Sequence, residues 1–290
     1  MLEIQNISKN YGKKKALQSC HLIANKHDII GILGQNGCGK STLFKSVMGL
    51  IEVDSGTILY NHKQCDFNQR KKFGYMPEQR SLFLDLTLYD QLKFLAQLKG
   101  ILDDRFDRLV DLYIERFDLK DKKYTVLNKL SKGQQQKVQL IASLIHNPDV
   151  LILDEPLNGL DFYSVQLVMN ELRIQASLGK IILISSHQMD FMDELCTHLL
   201  VLDNGYTIKN GKLSELYQEY GVCVSVNADS LWHNISKLHK NILEKGSMIE
   251  FHYANLLEAK KALGNFCKEP TITTLKLHNV SIGDMLKEGE

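Results

Sequence analysis

Long apolar runs are missing from this 290-residue sequence. Val150-Leu151-Ile152-Leu153 and Ile181-Ile182-Leu183-Ile184 are among the longest. A bilayer span takes about 20 residues, so no membrane crossing is expected. Net charge is almost absent as well, since 35 basic residues against 34 acidic ones leave +1. Such a balance excludes the global basicity that draws a chain to nucleic acid or to an anionic bilayer. The six cysteines (Cys20, Cys38, Cys65, Cys196, Cys223, Cys267) include no pair at metal-ligand spacing. Neither a disulfide framework nor a zinc site is expected from that distribution, and a reducing cytoplasm suits it. The opening residues Met1-Leu2-Glu3-Ile4-Gln5 lack the basic-then-apolar pattern of a secretory leader. Internal repeats and low-complexity tracts are not evident. What remains is 44% hydrophobic and 24% charged, the ordinary make-up of a folded soluble chain. At this length it is expected to form one large domain or two modest ones.

Up to about residue 210, short β-branched runs alternate with helical patterns. The run from Asp28 to Leu33 leads straight into a glycine-rich turn, and Leu43, Phe44, Val47 and Met48 follow at core-facing helical spacing. Val150–Leu153 and Lys180–Ser185 are too short and too apolar for helices. They read as strands buried on both faces, in a mainly parallel sheet covered by helices. Between about 80 and 146 the strand runs stop. Leu88, Leu92 and Leu95, then Val138, Ile141, Ala142 and Ile145, recur at helical spacing, which predicts a helical insertion. After Gly211, Val222, Val224 and Val226 alternate, as do Ile249, Phe251 and Tyr253, with helical stretches between and an apolar run near Ile272 to Leu277. The expectation is an α/β domain over 1–215 followed by a small α+β appendage over 216–290.

The most informative segment is Gly34-Gln35-Asn36-Gly37-Cys38-Gly39-Lys40-Ser41-Thr42. Its spacing is that of a phosphate-binding loop. Glycines let the backbone wrap a phosphate chain and aim successive N–H groups inward. Lys40 supplies a point charge to the β- and γ-phosphates, the Ser41 hydroxyl suits Mg²⁺, and the following helix adds its positive end. Cys38 reads as a small loop residue rather than a nucleophile. A second element, Val150–Pro156, carries Asp154 and Glu155 at the end of a buried strand, on the edge where α/β folds bind ligands. Asp154 is expected to hold Mg²⁺ through water, and Glu155 to orient and activate the attacking water.

The third element is Leu130-Ser131-Lys132-Gly133-Gln134-Gln135-Gln136, which opens an amphipathic helix. It resembles the LSGGQ signature of ATP-binding cassette (ABC) ATPases. Further pieces stand in that family's order. Tyr11-Gly12 resembles the aromatic that stacks on adenine, and Pro77-Glu78-Gln79 the Q-loop. Asn158-Gly159-Leu160-Asp161 resembles the D-loop, and Ser185-Ser186-His187 the switch-histidine strand end. The resemblance covers about residues 1–215 and implies a P-loop NTPase fold of ABC type. It also implies that Ser131, Gly133 and Gln134 bind the γ-phosphate held by an opposite subunit, so that two copies sandwich two ATP molecules. His187 is expected to hydrogen-bond the γ-phosphate, and Gln79 to touch Mg²⁺ or the lytic water. Two residues depart from the pattern: Lys132 stands for glycine in the signature and Asn158 for serine in the D-loop. The first is expected to alter electrostatics near the phosphate, the second to soften cross-talk between sites.

These features together imply an ATP-hydrolysing subunit of a bacterial-type ABC transporter. It would act as a homodimer or pseudo-dimer on separately encoded membrane subunits, peripheral to the cytoplasmic face of the membrane. Leu82 to Leu98 would dock the transporter's cytoplasmic helices. The tail resembles the extension of drug- and sodium-exporter subunits and leans the reading towards export. The alternative is a soluble ABC ATPase of DNA repair or translation. The Lys13-Lys14-Lys15 and Arg70-Lys71-Lys72 runs lack interleaved aromatics and read as solvated faces.

Overall fold

A computed structural model of the chain describes residues 1–101, 105–228, 242–245, 248–267 and 272–282. By its internal contacts the chain divides into two units, Met1–Asn210 and Gly211–Glu290.

The first unit opens with β1 (Leu2–Tyr11), β2 (Lys14–Ala24) and β3 (Ile29–Leu33), then α1 (Lys40–Val47). Next come β4 (Ser55–Tyr60), β5 (Lys63–Gln64), α2 (Phe67–Arg70) and β6 (Phe73–Met76). The helices α3 (Leu88–Leu98), α4 (Arg105–Arg116) and α5 (Lys132–Leu144) follow. The unit then returns to strands with β7 (Val150–Asp154), α6 (Phe162–Ser177), β8 (Ile181–Ser185), α7 (Met189–Leu195), β9 (His198–Asp203) and β10 (Tyr206–Lys212).

The strands form one ten-stranded sheet in the order β5-β4-β1-β2-β10-β9-β3-β8-β7-β6. Its two ends differ in kind. β9, β3, β8, β7 and β6 pair in parallel, and β3, β7 and β8 are buried at every residue. Burial on both faces is what a run such as Ile-Ile-Leu-Ile requires, because helices must cover each side. At the other end β1 pairs antiparallel with β2 and β4, an arm the apolar runs do not announce. Its strands alternate instead, with Leu2, Ile4 and Ile7 buried between more exposed neighbours. Leu43, Phe44 and Val47 of α1 are fully buried in the same core as the strands. Each such side chain contributes about 1.5–3 kcal/mol relative to exposure.

No strand longer than a single bridge, Thr87 with Val126, is present between Met76 and Val150 among the described residues. Arg116 of α4 donates to both carboxylate oxygens of Glu171 on α6, at 3.2 and 2.9 Å, and so ties this helical stretch to the sheet-bearing part.

The second unit contains α8 (Leu213–Tyr220), β11 (Val222–Ala228), β12 (Ile242–Lys245), β13 (Met248–Tyr253), α9 (Leu256–Phe266) and β14 (Ile272–Asn279). Its sheet runs β12-β13-β11-β14, antiparallel throughout. One face carries Val224, Val226, Ile249 and Phe251, which form a core with Ala259 of α9. Part of the helical stretch expected between Val226 and Ile249 lies outside the described residues.

Candidate functional site

The glycine-rich loop joins β3 to α1, and two of its glycines, Gly34 and Gly39, are required by close backbone approach. Gly34 has φ 144°, and a Cβ there would stand 2.1 Å from the Leu202 carbonyl oxygen and 2.5 Å from Cys38 Sγ. Gly39 has φ 122°, and a Cβ would meet the Ala16 carbonyl oxygen at 2.4 Å. The loop therefore lies flat on the backbones of β9 and β2, with Lys40 nine-tenths buried beneath it. Lys40 Nζ donates to the carbonyls of Gly34 at 2.7 Å and Gln35 at 3.2 Å, which holds its ammonium under the loop. Gly39 gives α1 no side-chain cap, so the first-turn N–H groups face the cleft as an anion-binding helix end. Cys38 is buried, and burial pushes its thiol up, against the opposing pull of Lys40. That favours the neutral thiol and agrees with a packing role.

Two acids arrive from β7. Asp154 and Glu155 are both almost wholly buried. Ser185, at the end of the neighbouring β8, serves both: its Oγ donates to Asp154 Oδ1 at 2.7 Å and accepts the Glu155 backbone N–H at 3.0 Å. Glu155 takes φ 52°, a left-handed conformation costly for a residue with a Cβ. The turn aims its carboxylate at His187, whose Nε2 lies 3.2 Å from Glu155 Oε1. Among the described residues, no donor meets either Glu155 carboxylate oxygen with hydrogen-bond geometry. Burial raises the Glu155 pKa above the usual carboxylate range, while His187 and Lys40 pull it back and Asp154 adds to the rise.

Loop and acids share one cleft of about 310 Å³. Tyr11, Lys14, Ala16, Asn36, Gly37, Gly39, Lys40, Ser41, Thr42, Glu78, Asp154, Glu155 and His187 line it. Tyr11 is half-exposed at its rim. Ser41, Asp154 and Glu155 bring hard oxygen donors to the cleft that Lys40 also lines, a set that fits a magnesium-bound phosphate chain. Lys14, Ala16 and Glu78 were not anticipated as site residues. Lys14 belongs to the basic run read as a solvated face, yet it borders the cleft from the start of β2.

The remaining candidates lie outside this cleft. Gln79 is exposed, and its backbone carbonyl accepts from Gln139 Nε2 at 3.4 Å. Ser131 caps α5 in a reciprocal box: Ser131 Oγ accepts the Gln134 N–H at 3.2 Å, and Gln134 Oε1 accepts the Ser131 N–H at 2.9 Å. A Cβ on Gly133 would come within 3.3 Å of the Gly159 carbonyl, so the start of α5 lies against the 158–161 loop. Lys132 is exposed at the first position of α5. Asp161 caps α6, accepting the Ser164 N–H at 2.7 Å, and that bond holds its carboxyl below the usual range.

Glutamines of α5 bind these loops together. Gln135 Nε2 donates to the Leu127 carbonyl at 2.8 Å. Gln136 Nε2 donates to the carbonyls of Glu155 at 3.1 Å and Pro156 at 3.2 Å. Gln139 Nε2 donates to the Pro77 carbonyl at 2.7 Å. The cleft acids, the 77–79 loop and the start of α5 therefore share one rigid support.

A β-strand, phosphate loop and helix, with two acids at the end of the second strand away, define a P-loop nucleotide-binding fold. The ABC transporter family profile matches residues 17–158. The ABC transporter ATP-binding protein YhaQ of Bacillus subtilis (strain 168) is 36% identical over 221 residues, spanning 76% of this chain and 74% of that protein. The solved cbiO1 of Clostridium perfringens, part of the ABC transporter complex cbiONQ, is 30% identical with a TM-score of 0.67, covering 75% of this chain and 90% of that one. The dimeric bacterial ABC transporter cassette MJ0796 shares the fold at 22% identity and a TM-score of 0.67, covering 73% of this chain and 99% of that one. The chain belongs to the ATP-binding subunits of ABC transporters, ATPases whose hydrolysis of ATP powers transport. Its relatives favour the transporter over a role in DNA repair or translation.

Proposed function

We propose that this subunit hydrolyses Mg²⁺-bound ATP in a cleft that a second cassette completes, and that closing and opening of the pair drives separate membrane subunits. The observation that carries this reading is a division of the motifs. The phosphate loop, Asp154, Glu155 and His187 share one cleft, whereas Ser131 and Gly133 stand outside it. A second copy, or a similar partner cassette, would bring its own Ser131–Gln134 helix tip over the triphosphate, with Asp161 close to the junction.

Within one chain the loop N–H groups of Gly34 to Thr42 and the Lys40 ammonium hold the phosphates, and Tyr11 stacks on the base. Ser41 and Asp154 would hold Mg²⁺, joined by Gln79 were its loop to turn inward, and the bound ion would supply neutralisation of charge on the phosphoryl oxygens. Glu155 accepts the proton of the attacking water as the new oxygen–phosphorus bond forms and the γ-phosphate leaves ADP. His187 steadies the γ-phosphate and opposes the rise that burial gives the Glu155 pKa.

Membrane coupling falls to the segment 82–98. Phe83 and Phe94 are both exposed and meet edge to face at 5.6 Å, beside a hollow they line with Asp85 and Leu86. An apolar helix end of a membrane subunit fits that hollow. Among the described residues no helix is long and apolar enough to cross a membrane. This subunit would therefore sit peripherally on the cytoplasmic face, held there by its partners. The resemblance of its tail to exporter subunits supports export.

The test is the mass of Glu155→Gln in ATP and Mg²⁺, read by light scattering. A doubled mass is expected, abolished by adding Ser131→Arg. A monomer saturated with ATP in the single variant would end the shared-cleft reading.

A further inference from the structure

The sheet of the second unit has two unlike faces. Val224, Val226, Ile249 and Phe251 point to its apolar core. The alternate residues of the same strands point the other way, and they are Cys223 and Ser225 on β11, Glu250 and His252 on β13, and His278 on β14. The register brings them together: Cys223 on the central β11 is directly opposite His252 on one side and His278 on the other. Cys223, Ser225 and Glu250 are buried. A thiol, a carboxylate and two half-buried imidazoles, all residue types that bind metal ions, thus gather on one face of a small sheet.

We propose that Cys223, Glu250, His252 and His278 form a four-ligand site for a divalent transition-metal ion of the zinc class. The ligand atoms of Cys223, Glu250 and His252 already lie within 4.8 Å of one another. Bonds of about 2.0–2.3 Å space tetrahedral ligands roughly 3.3–3.8 Å apart, so the set closes by about an ångström of side-chain rotation. His278 Nε2 lies 3.8 Å from Glu250 Oε1, outside the three-residue cluster itself, and would supply the fourth position by a further turn of its side chain.

The histidines are prepared for this. His278 Nδ1 lies 2.8 Å from the Asn279 carbonyl oxygen, to which it donates, and so the neutral ring presents its Nε2 lone pair to the cluster. Such a bond from the second ring nitrogen is the usual support of a metal-bound imidazole. His252 Nε2 is buried and has no hydrogen-bond partner among the described residues. The Ser225 hydroxyl faces both His278 Nε2 and Glu250 Oε1, and its single proton satisfies only one of them.

The donor set selects the ion. One sulfur and two imidazole nitrogens exclude Mg²⁺ and Ca²⁺, which take oxygen ligands, and suit Zn²⁺ in a closed tetrahedral site. On binding, the Cys223 thiol gives its proton to solvent as the sulfur–metal bond forms, and both imidazoles enter neutral. Sequence spacing hides such a site because its ligands come from separate strands. It also stands independently of the nucleotide cleft.

The test uses the full chain carrying Cys267→Ser, which removes the exposed thiol, after chelation and without nucleotide. Titration with Co²⁺ should give one bound equivalent, with a thiolate-to-cobalt charge-transfer band and the visible bands of a tetrahedral ion, both erased by Zn²⁺. Cys223→Ser should abolish the charge-transfer band. His252→Gln should keep it and weaken Co²⁺ binding by at least the roughly 10–100-fold that losing an outer-shell partner costs. An unchanged far-ultraviolet circular dichroism spectrum and an unchanged unfolding profile in each variant show that the second unit has folded. Absence of Co²⁺ uptake by the parent, a charge-transfer band that survives Cys223→Ser, or unaltered affinity in His252→Gln would each overturn the proposal. Should Cys223→Ser fail to fold, the His252→Gln affinity decides alone.

Discussion

Glu155 Oε1 and His187 Nε2 stand 3.2 Å apart at the ends of adjacent parallel strands, one side chain buried and the other half-exposed. Burial of Glu155 raises its pKa, and the nearby His187 opposes that rise. A water-activating carboxylate must be ionised, so turnover should fall as pH drops through the raised value. That limb lies at a higher pH than an ordinary carboxylate would give. The stability contribution has the opposite sign: it is present below the unfolded-state pKa and is lost as pH rises through the folded one. His187→Ala removes a lowering influence and should shift the acid limb of the single-turnover rate upward, besides slowing the rate. A pH profile of ATP cleavage in both proteins checks this, and a limb that stays put would separate His187 from Glu155 ionisation.

Ser185 holds both acids at once. Ser185→Ala leaves a buried Asp154 oxygen and the Glu155 N–H without that partner, which should cost about 1–3 kcal/mol. Because Glu155 is held at φ 52°, its carboxylate should lose aim and turnover should fall more than ATP affinity. Urea unfolding and steady-state kinetics on the same variant measure the two effects.

The loop glycines should differ sharply from one another. Gly34→Ala sets a Cβ 2.1 Å from the Leu202 carbonyl oxygen, so the loop must leave β9 and ATP binding should be lost. Gly37 has φ +81° but meets nothing nearer than Lys14 Nζ at 3.9 Å. Gly37→Ala should therefore cost only backbone strain, about 1–2 kcal/mol. Nucleotide affinity and unfolding midpoints of the two variants make the comparison. Similar losses in both would mean that Leu202 does not set the limit at Gly34.

Glu171 is buried on α6 and accepts from Arg116 and, at 2.6 Å, from Gln175. Arg116→Ala strands that carboxylate. Breaking a buried pair costs about 3–5 kcal/mol, discounted here to about 2–3 because Arg116 keeps a third of its surface in water. Replacing both partners, as in Arg116→Met with Glu171→Leu, should recover most of the loss in thermal unfolding.

The local parts of the site were legible in the sequence. Gly34 to Thr42 and Val150 to Glu155 are contiguous strings whose chemistry depends on order and spacing alone. Three of the parallel strands, β3, β7 and β8, announced themselves in the same way through apolar runs, whereas β6 and β9 were not anticipated. Lys14 and Glu78 were less legible as parts of the cleft, because they reach it only through the strand order that brings β2 and β6 into one sheet with β3. The antiparallel arm was equally quiet, since half-exposed strands such as β1 dilute their apolar residues with polar ones. The Cys223 cluster is the extreme case, a grouping that exists only in the register of three paired strands.

The amide hooks of α5 have a mechanical consequence. A stiff rod that grips the Glu155, Pro77 and Leu127 carbonyls ties three remote loops to a common motion. A push delivered at the solvent tip of that rod would arrive as a tug at the Glu155 turn, where the proposed water activation takes place, so that force and chemistry would meet on one short lever.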